Sequence, residues 1–265
     1  MQLIFNHQLF WLDPNLEQCQ NSVESETVFL TSLQPRLKEK LALLAGSQIY
    51  ISQELYLLLQ KLNRFLKTDY NLTAVKIIPY TFAQMFDDIS VTALSNDDGF
   101  FGSYVLLFDD GQQKIGYAPR FITQGWHKKR LKKWKKAFKD AQLTQLILSS
   151  KITQPASQAL PDLSHYQQVL MADKPQDLLI KGNPFSLDTL FKMDDICQKL
   201  AIKAYYPELM ANLMHAFNPW KDYQSGLATE VIDLSMTDLS LPQTVTTAEV
   251  NDLITVINPQ KVVTI

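Results

Sequence analysis

Cysteine is scarce in this chain: 265 residues contain two, Cys19 and Cys197, and neither belongs to a C-x-x-C pair. That excludes a disulfide framework and a cysteine-rich zinc site, and leaves two reduced thiols packed as small hydrophobes. An excess of one charge is missing too. Lys and Arg number 25 against 27 Asp and Glu, so no global field attracts nucleic acid or an anionic membrane, and such affinity would need a local patch. No window approaches 18 apolar residues, which excludes a membrane-spanning helix. The opening MQLIFNHQLFWLDPN has no basic leader, and Asn6, His7 and Gln8 interrupt its apolar run. No signal peptide is expected, and the expected compartment is the cytoplasm. Histidine is rare as well. His7, His127, His165 and His215 stand alone, with no H-x-H, H-x-x-x-H or H-E-x-x-H spacing, and read as surface or core residues. There is no Gly-rich phosphate loop, no G-x-S-x-G elbow, no Cys/His pairing, no internal repeat and no low-complexity segment.

What is present is ample core material, 46% apolar residues with 20% charged, arranged as alternating strands and helices. QLFWL (8–12), TVFLT (27–31) and IYIS (49–52) read as short strands. Between and after them, Leu37, Leu41 and Leu44, then Leu55, Leu58, Leu62 and Phe65, mark two amphipathic helices. Four runs without helical period come next, at 75–82, 89–94, 103–108 and 113–118. The last two flank Asp109-Asp110-Gly111, whose Asp-Gly supplies the positive φ of a hairpin turn. Residues 127–141 form a helix with Leu131, Trp134, Phe138 and Ala141 on one face, leading into a strand at 143–150. Residues 151–174, with Pro155, Pro161 and, just beyond, Pro175, read as a linker or irregular insert. Strands are expected at 177–182, 229–235 and 261–265, and helices after Ser186, over 206–217 and after the capping-box spacing Thr246-Thr247-Ala248-Glu249. The class is α/β, with helices outside and strands buried between them.

In order and spacing these elements resemble the metallo-β-lactamase superfamily, in particular its RNase J-like, β-CASP branch. Four segments carry the resemblance. VFLTSLQPRLKEKLALLAGSQIYISQELYLLLQKL (28–62) matches the frame around the T-H-x-H-x-D-H motif, beginning at Thr31. VTALSNDDGFFGSYVLLFDDGQQKIGYAPRF (91–121) matches a ligand loop, a Gly-Ser at Gly102-Ser103, a hairpin, and the Y-T-G-D-F strand end at Tyr117–Phe121. Residues 178–217 are similar to a reduced β-CASP insert, and 246–265 to the closing helix and strand. The resemblance implies a four-layer αββα sandwich with a reduced insert. Residues 1–150 would form its N-terminal half, 151–228 the linker and insert, and 229–265 the strand–helix–strand that completes it.

The resemblance also implies a metal-dependent hydrolase, whose ions acidify a bound water and need His, Asp, Glu or Cys donors. The residues at those positions differ. The two leading histidines fall on Ser32 and Gln34, the motif's Asp on Arg36 and its last His on Leu37. The loop histidine falls on or beside Asp97, the bridging Asp on Arg120, and the final histidine one position beyond Ile265. Only Asp97 keeps a possible donor, and two guanidinium groups would stand where cations should bind. The expectation is therefore a non-catalytic protein with no metal or other cofactor, acting by binding a protein or an anionic ligand in the former metal pocket. A residual metal-dependent hydrolase or ribonuclease using Asp97 is the alternative. A third possibility is nucleic-acid binding through the helix bearing Lys128, Lys129, Arg130, Lys132, Lys133, Lys135, Lys136 and Lys139. That basic run reads better as the solvated back of an amphipathic helix, because Trp134 lies on its apolar stripe. A protein partner or a homo-oligomer is compatible with the sequence, a membrane is not. Phe100-Phe101 reads equally as a rim that contacts a ligand and as a buried pair. Of the paired acids, Asp109-Asp110 is assigned to the turn and Asp194-Asp195 to a helix exterior.

Overall fold

The computed structural model describes residues 1–21, 26–123, 127–149, 163–234 and 245–265. They divide into two compact units. The first comprises Met1–Asp98, Gly102–Pro155 and Thr244–Ile265, and the second Gly99–Phe101 with Ala156–Gln243.

The first unit is built on two sheets. One has the order β1 (Gln2–Phe5), β2 (Gln8–Leu12), β3 (Thr27–Phe29), β4 (Gln48–Ser52), β5 (Val75–Ile78), antiparallel only between β1 and β2. The other runs β15 (Lys261–Thr264), β10 (Gln145–Leu148), β9 (Lys114–Ala118), β8 (Tyr104–Asp109), β7 (Ile89–Ser95), β6 (Ala83–Phe86). Its first three strands are parallel and its last four antiparallel. The parallel pairs are those joined through helices, as crossover geometry demands, and the antiparallel ones are joined by hairpins.

Strand alternation distributes the side chains. Phe10, Leu12, Phe29 and Tyr50 turn inward to meet Val91, Leu106, Phe108, Tyr117 and Ile147 of the opposite sheet. Phe10, Phe29, Tyr50, Phe86 and Phe108 form a ring cluster with centroids 5.1–6.0 Å apart, in the tilted and edge-on geometries that aromatic quadrupoles favour. Val28, Ile49 and Ile51 alternate to the other face, where helix α3 (Gln53–Leu66) packs on β4 and β5 through Leu55, Leu58, Leu59 and Leu62. The short helices α1 (Leu16–Gln20) and α2 (Leu37–Leu43) precede it. On the far side of the second sheet, α4 (Lys128–Ala141) and α8 (Thr247–Ile257) seal Val105, Ala118, Leu146 and Leu148 with Leu131, Trp134, Phe138, Val250 and Leu253. The layer order is α, β, β, α. The capping box expected at Thr246 is formed, with Thr246 and Glu249 each satisfying the other's backbone N–H.

The second unit is a four-stranded parallel sheet, in order β13 (Gln224–Ser225), β12 (Lys203–Tyr206), β11 (Asp177–Gly182), β14 (Glu230–Leu234), with α5 (Leu163–Asp173), α6 (Leu187–Lys199) and α7 (Glu208–Phe217). Three sequence expectations are corrected here. Residues 163–173 of the expected linker are helical, because the prolines flank this stretch and none lies inside it. The strand expected at 229–235 is β14, which pairs with β11 in this unit and not with the closing elements of the sandwich, since a parallel edge beside Leu178–Gly182 is where its backbone bonds are met. Asp194 is buried rather than on a helix exterior. It accepts the Tyr206 hydroxyl at 2.7 Å and pairs with Lys221, while Asp195 is the exposed member of the pair. Phe100 and Phe101 are both buried, and Phe101 packs edge-on against Phe217. Among the described residues, no helix is long and apolar enough to cross a membrane.

Candidate functional site

The carboxyl ends of β2, β3, β9 and β10 converge on one side of the sandwich, and the loops leaving them carry the polar side chains. At the end of β2 the chain turns through Asp13 with φ of 44°, a left-handed conformation that Asp tolerates better than most residues. The turn aims its carboxylate back across the sheet. It accepts the Thr31 backbone N–H at 2.7 Å, the Thr31 hydroxyl at 2.5 Å, the Tyr117 hydroxyl at 3.0 Å and the Gln34 side-chain amide. Four donors saturate the two oxygens. Burial raises the Asp13 pKa above the ordinary range, and the Thr31 and Tyr117 hydrogen bonds hold it back. Burial and the Asp13 charge push the Tyr117 phenol well up. Gln34 continues the chain, since its carbonyl oxygen accepts the ammonium of Lys40. Lys40 is buried in α2, and its pKa is lowered by burial, offset in part by Cys19 and Asp13.

A second network lies alongside. The Ser32 hydroxyl donates to Asp98, which is fully buried, and Arg120 Nε stands 3.9 Å from the same carboxylate oxygen. Another guanidinium nitrogen of Arg120 donates to the Leu33 carbonyl at 3.3 Å.

Between the two networks is a cavity of about 420 Å³, within the ~300–1,000 Å³ range of small-molecule sites. It is lined by Asp13, Ser32, Gln34, Tyr117, Arg120 and Ser149, by Asn15 and Gln18, and by Met1, Pro35, Pro119 and Ile265.

Of the six positions singled out from sequence, the structure brings Ser32, Gln34 and Arg120 to this cavity and leaves three outside it. Arg36 is a correction. It sits at the left-handed N-cap of α2, exposed, with both arms of its guanidinium on Glu39 one turn later. The turn at Pro35–Arg36 reverses the chain, so position 34 rather than 36 faces the cavity. Leu37 is buried on the apolar face of α2. Asp97 supports α4: its carboxylate accepts the His127 backbone N–H at 2.6 Å, and its carbonyl the Ile122 N–H at 2.7 Å. Sequence reasoning missed Asp13, Lys40 and Asp98. Lys40 had a signal, being a lysine within the apolar stripe of Leu37, Leu41 and Leu44. Asp98 was the other half of a pair already noticed. Asp13 had only its Asp-Pro turn.

These residues do not fit a metal-dependent hydrolase centre. Among the described residues no three His, Cys, Asp or Glu side chains are grouped to hold an ion. The two carboxylates beside the cavity, Asp13 and Asp98, are engaged by N–H and O–H donors. On the basic helix α4, Trp134 is buried and donates to Asn96 at 3.1 Å, with Leu131 and Phe138 beside it. It offers no ring for base stacking, and Lys128, Lys129, Lys132, Lys133 and Lys136 are exposed around its back. Arg130 and Lys135 are half-buried, and Arg130 reaches the Asn96 carbonyl at 3.4 Å.

No family model matches the sequence, and no curated protein does. Among solved structures the chain is similar to a protein of unknown function from Enterococcus faecalis V583, with a TM-score of 0.61 and 14% identity over 92% of this chain and 77% of that one. Matches at lower scores include the metallo-β-lactamase fold protein YhfI from Bacillus subtilis, at a TM-score of 0.33 and 12% identity over 75% and 84% of the two chains. CmlA, a diiron β-hydroxylase from Streptomyces venezuelae, matches at 0.41 and 12% identity over 77% of this chain and 50% of that one. The fold rests on the two face-to-face sheets and their helical covers rather than on these two weaker matches. The first unit has the αββα layering that the resemblance in the sequence implies. Identity at this level reaches no further than fold.

Proposed function

We propose that this chain is a non-catalytic member of the metallo-β-lactamase-like folds that acts by binding a small anionic ligand in the cavity beside Arg120. The observation that carries the reading is the pairing of Asp98 with Ser32 and Arg120, and of Asp13 with Thr31, Gln34 and Tyr117. Hydrolysis in this fold needs carboxylates and imidazoles held ready for cations. Here the carboxylates are committed to internal donors, and Arg120, a permanent cation, occupies a ligand position. We read the second unit as a reduced β-CASP-like insert, and the chain as near the RNase J-like branch, from the order of the segments in the sequence.

The test is elemental analysis of the purified protein, as prepared and after incubation with zinc and manganese, beside assays on RNA and on a model phosphodiester. The reading expects substoichiometric metal and no turnover. Two equivalents of tightly held metal, or hydrolysis abolished by Asp97→Ala, would overturn it in favour of a residual hydrolase.

A further inference from the structure

The strongest electrostatic feature outside the cavity is the solvent face of α4. Residues 128–139 hold seven lysines, one arginine and no acid. Removing these eight from the chain's 25 Lys and Arg leaves 17 bases against 27 acids, so twelve residues carry +8 in a chain that sums to −2. Lys128, Lys129, Lys132, Lys133, Lys136 and Lys139 are exposed. At about 100° per residue they cover an arc of about 140°, opposite the buried stripe of Leu131, Trp134 and Phe138, along about 17 Å of helix. A solvated helix face ordinarily mixes signs, with Glu and Lys one turn apart attracting each other. Here Lys128–Lys132, Lys129–Lys133 and Lys132–Lys136 repel at that spacing. No lysine side chain of α4 has an ion pair or hydrogen bond among the described residues. The first turn adds to the cost. Helices α1, α2, α3, α6, α7 and α8 each place an acid there, at the positive end of the helix dipole. Helix α4 has none and opens on Lys128, Lys129 and Arg130. Asp97, which reaches that end, accepts the His127 backbone N–H. Bases kept where local rules disfavour them, with no partner inside the chain, mark a site of use rather than of folding.

The chemistry of the face selects the partner. Its exposed charges are all lysines, since Arg130 is half-buried and reaches the Asn96 carbonyl. Lysine is a hydrated point charge on a flexible stem, suited to diffuse attraction, whereas paired recognition of a carboxylate or phosphate favours the arginine fork. Protein interfaces are depleted in lysine and anchored by Trp, Tyr and Arg. This face, with Trp134 buried and Arg130 turned inward, does not present such anchors. Reading or stacking on bases needs Arg, Asn, Gln or a ring, and these too are missing from the exposed positions of 128–139. A plane of anionic headgroups asks for none of them. Long lysines on a convex face can all reach it, and clusters of about four to eight on an amphipathic helix suit it. The apolar stripe of α4 is sealed against the second sheet, so contact is by charge alone and needs neither insertion nor a spanning helix. The sequence expectation against a membrane rests on the lack of an apolar span and does not bear on adsorption of this kind. We infer that α4 is a reversible docking face for an anionic lipid surface.

Cosedimentation of the full chain with vesicles tests this. The probes are vesicles of equal parts phosphatidylglycerol and phosphatidylcholine, and vesicles of phosphatidylcholine alone. Binding is expected only to the first. It should fall steeply as salt rises from about 0.01 M to about 0.15 M, where the screening length contracts from about 30 Å to about 8 Å. Lys128→Gln, Lys132→Gln and Lys136→Gln together keep good helix formers and remove three charges. At about fivefold per lysine they should weaken binding about a hundredfold, with the melting temperature unchanged or raised because repulsion within the helix is relieved. Lys38→Gln, Lys199→Gln and Lys261→Gln together remove exposed lysines from α2, α6 and β15. They make the same change in net charge and should leave binding within about fivefold. Equal loss in both triple variants, binding indifferent to salt, binding to phosphatidylcholine alone, or no binding at low salt would overturn the inference. So would release from the vesicles by duplex RNA or by poly-L-glutamate at equal concentration of charge, which would assign the face to a nucleic acid or to an acidic protein.

Discussion

Replacing Arg120 by methionine removes the cation that stands in ion-pair contact with Asp98, and Asp98 is fully buried. At 3.9 Å and an effective dielectric of 20, the gross Coulomb attraction is ~4 kcal/mol. Breaking a buried pair by deleting one member costs ~3–5 kcal/mol, because the remaining charge stays desolvated. Two facts reduce that figure here. The Arg120 side chain is about a fifth exposed, and Ser32 still donates to Asp98. The expected loss is about 3 kcal/mol, or roughly 6–12 °C for a protein of this size. Asp98→Asn should cost less, about 1–2 kcal/mol, since Arg120 can turn to water and the amide oxygen can still accept from Ser32. The double variant removes both charges and should sit near the milder single variant. Its coupling energy should be about 2–3 kcal/mol. Scanning calorimetry on wild type, both single variants and the double closes the cycle. Additivity within ~0.5 kcal/mol, or an Arg120→Met loss below ~1 kcal/mol, would refute the claim that Arg120 neutralises the buried acid.

Acidification probes Asp13. Its folded pKa lies above the ordinary 3.8, so the folded state holds the proton more tightly than the unfolded chain. The stability this group contributes is therefore fully present below 3.8 and is lost as pH rises through the raised folded value. Asp13→Asn does not titrate, so the wild type should gain stability relative to the variant as pH falls towards about 4, and a flat difference would contradict the burial of this carboxylate. Gly102→Ala should cost about 2–4 kcal/mol in thermal denaturation. Its φ is +84°, and an added Cβ would lie 2.6 Å from the Leu55 backbone nitrogen and 2.7 Å from the Ser52 hydroxyl oxygen. A neutral result would mean that this contact is not maintained. Cys19 and Cys197 are both buried, and burial pushes the Cys197 thiol up to about 12. Neither should react with a thiol-disulfide reagent in the native state and both should react in denaturant, so rapid native labelling would count against their packing.

Much of the fold was legible in the sequence because burial repeats with the period of each element. Leu55, Leu58 and Leu62 announce α3, Leu131, Trp134 and Phe138 announce α4, and Thr246 with Glu249 marks where α8 begins. Short edge elements were not legible. The apolar alternation of β1 and the turn at Asn6-His7 resemble any irregular start, and β6 takes its place only by pairing with β7. Helix α5 was hidden by the prolines around it. The site was half legible: the superfamily frame pointed to Ser32, Gln34 and Arg120, but a linear motif cannot say which way a side chain turns.

The residues alone determine that four imidazoles are scattered, that two thiols are distant, and that positions 32, 34, 36 and 37 hold Ser, Gln, Arg and Leu. Composition and spacing fix these. Tertiary structure decided where each of those side chains turns. Arg36 turns out to Glu39 because the backbone at Pro35–Arg36 reverses, while Arg120 turns in to Asp98. Asp13, more than a hundred residues from Tyr117, becomes the hub of a network because β2 and β9 end on the same side of two packed sheets. Hydrogen bonds and ion pairs act over a few ångströms of space, and only the packing of the sheets sets those distances.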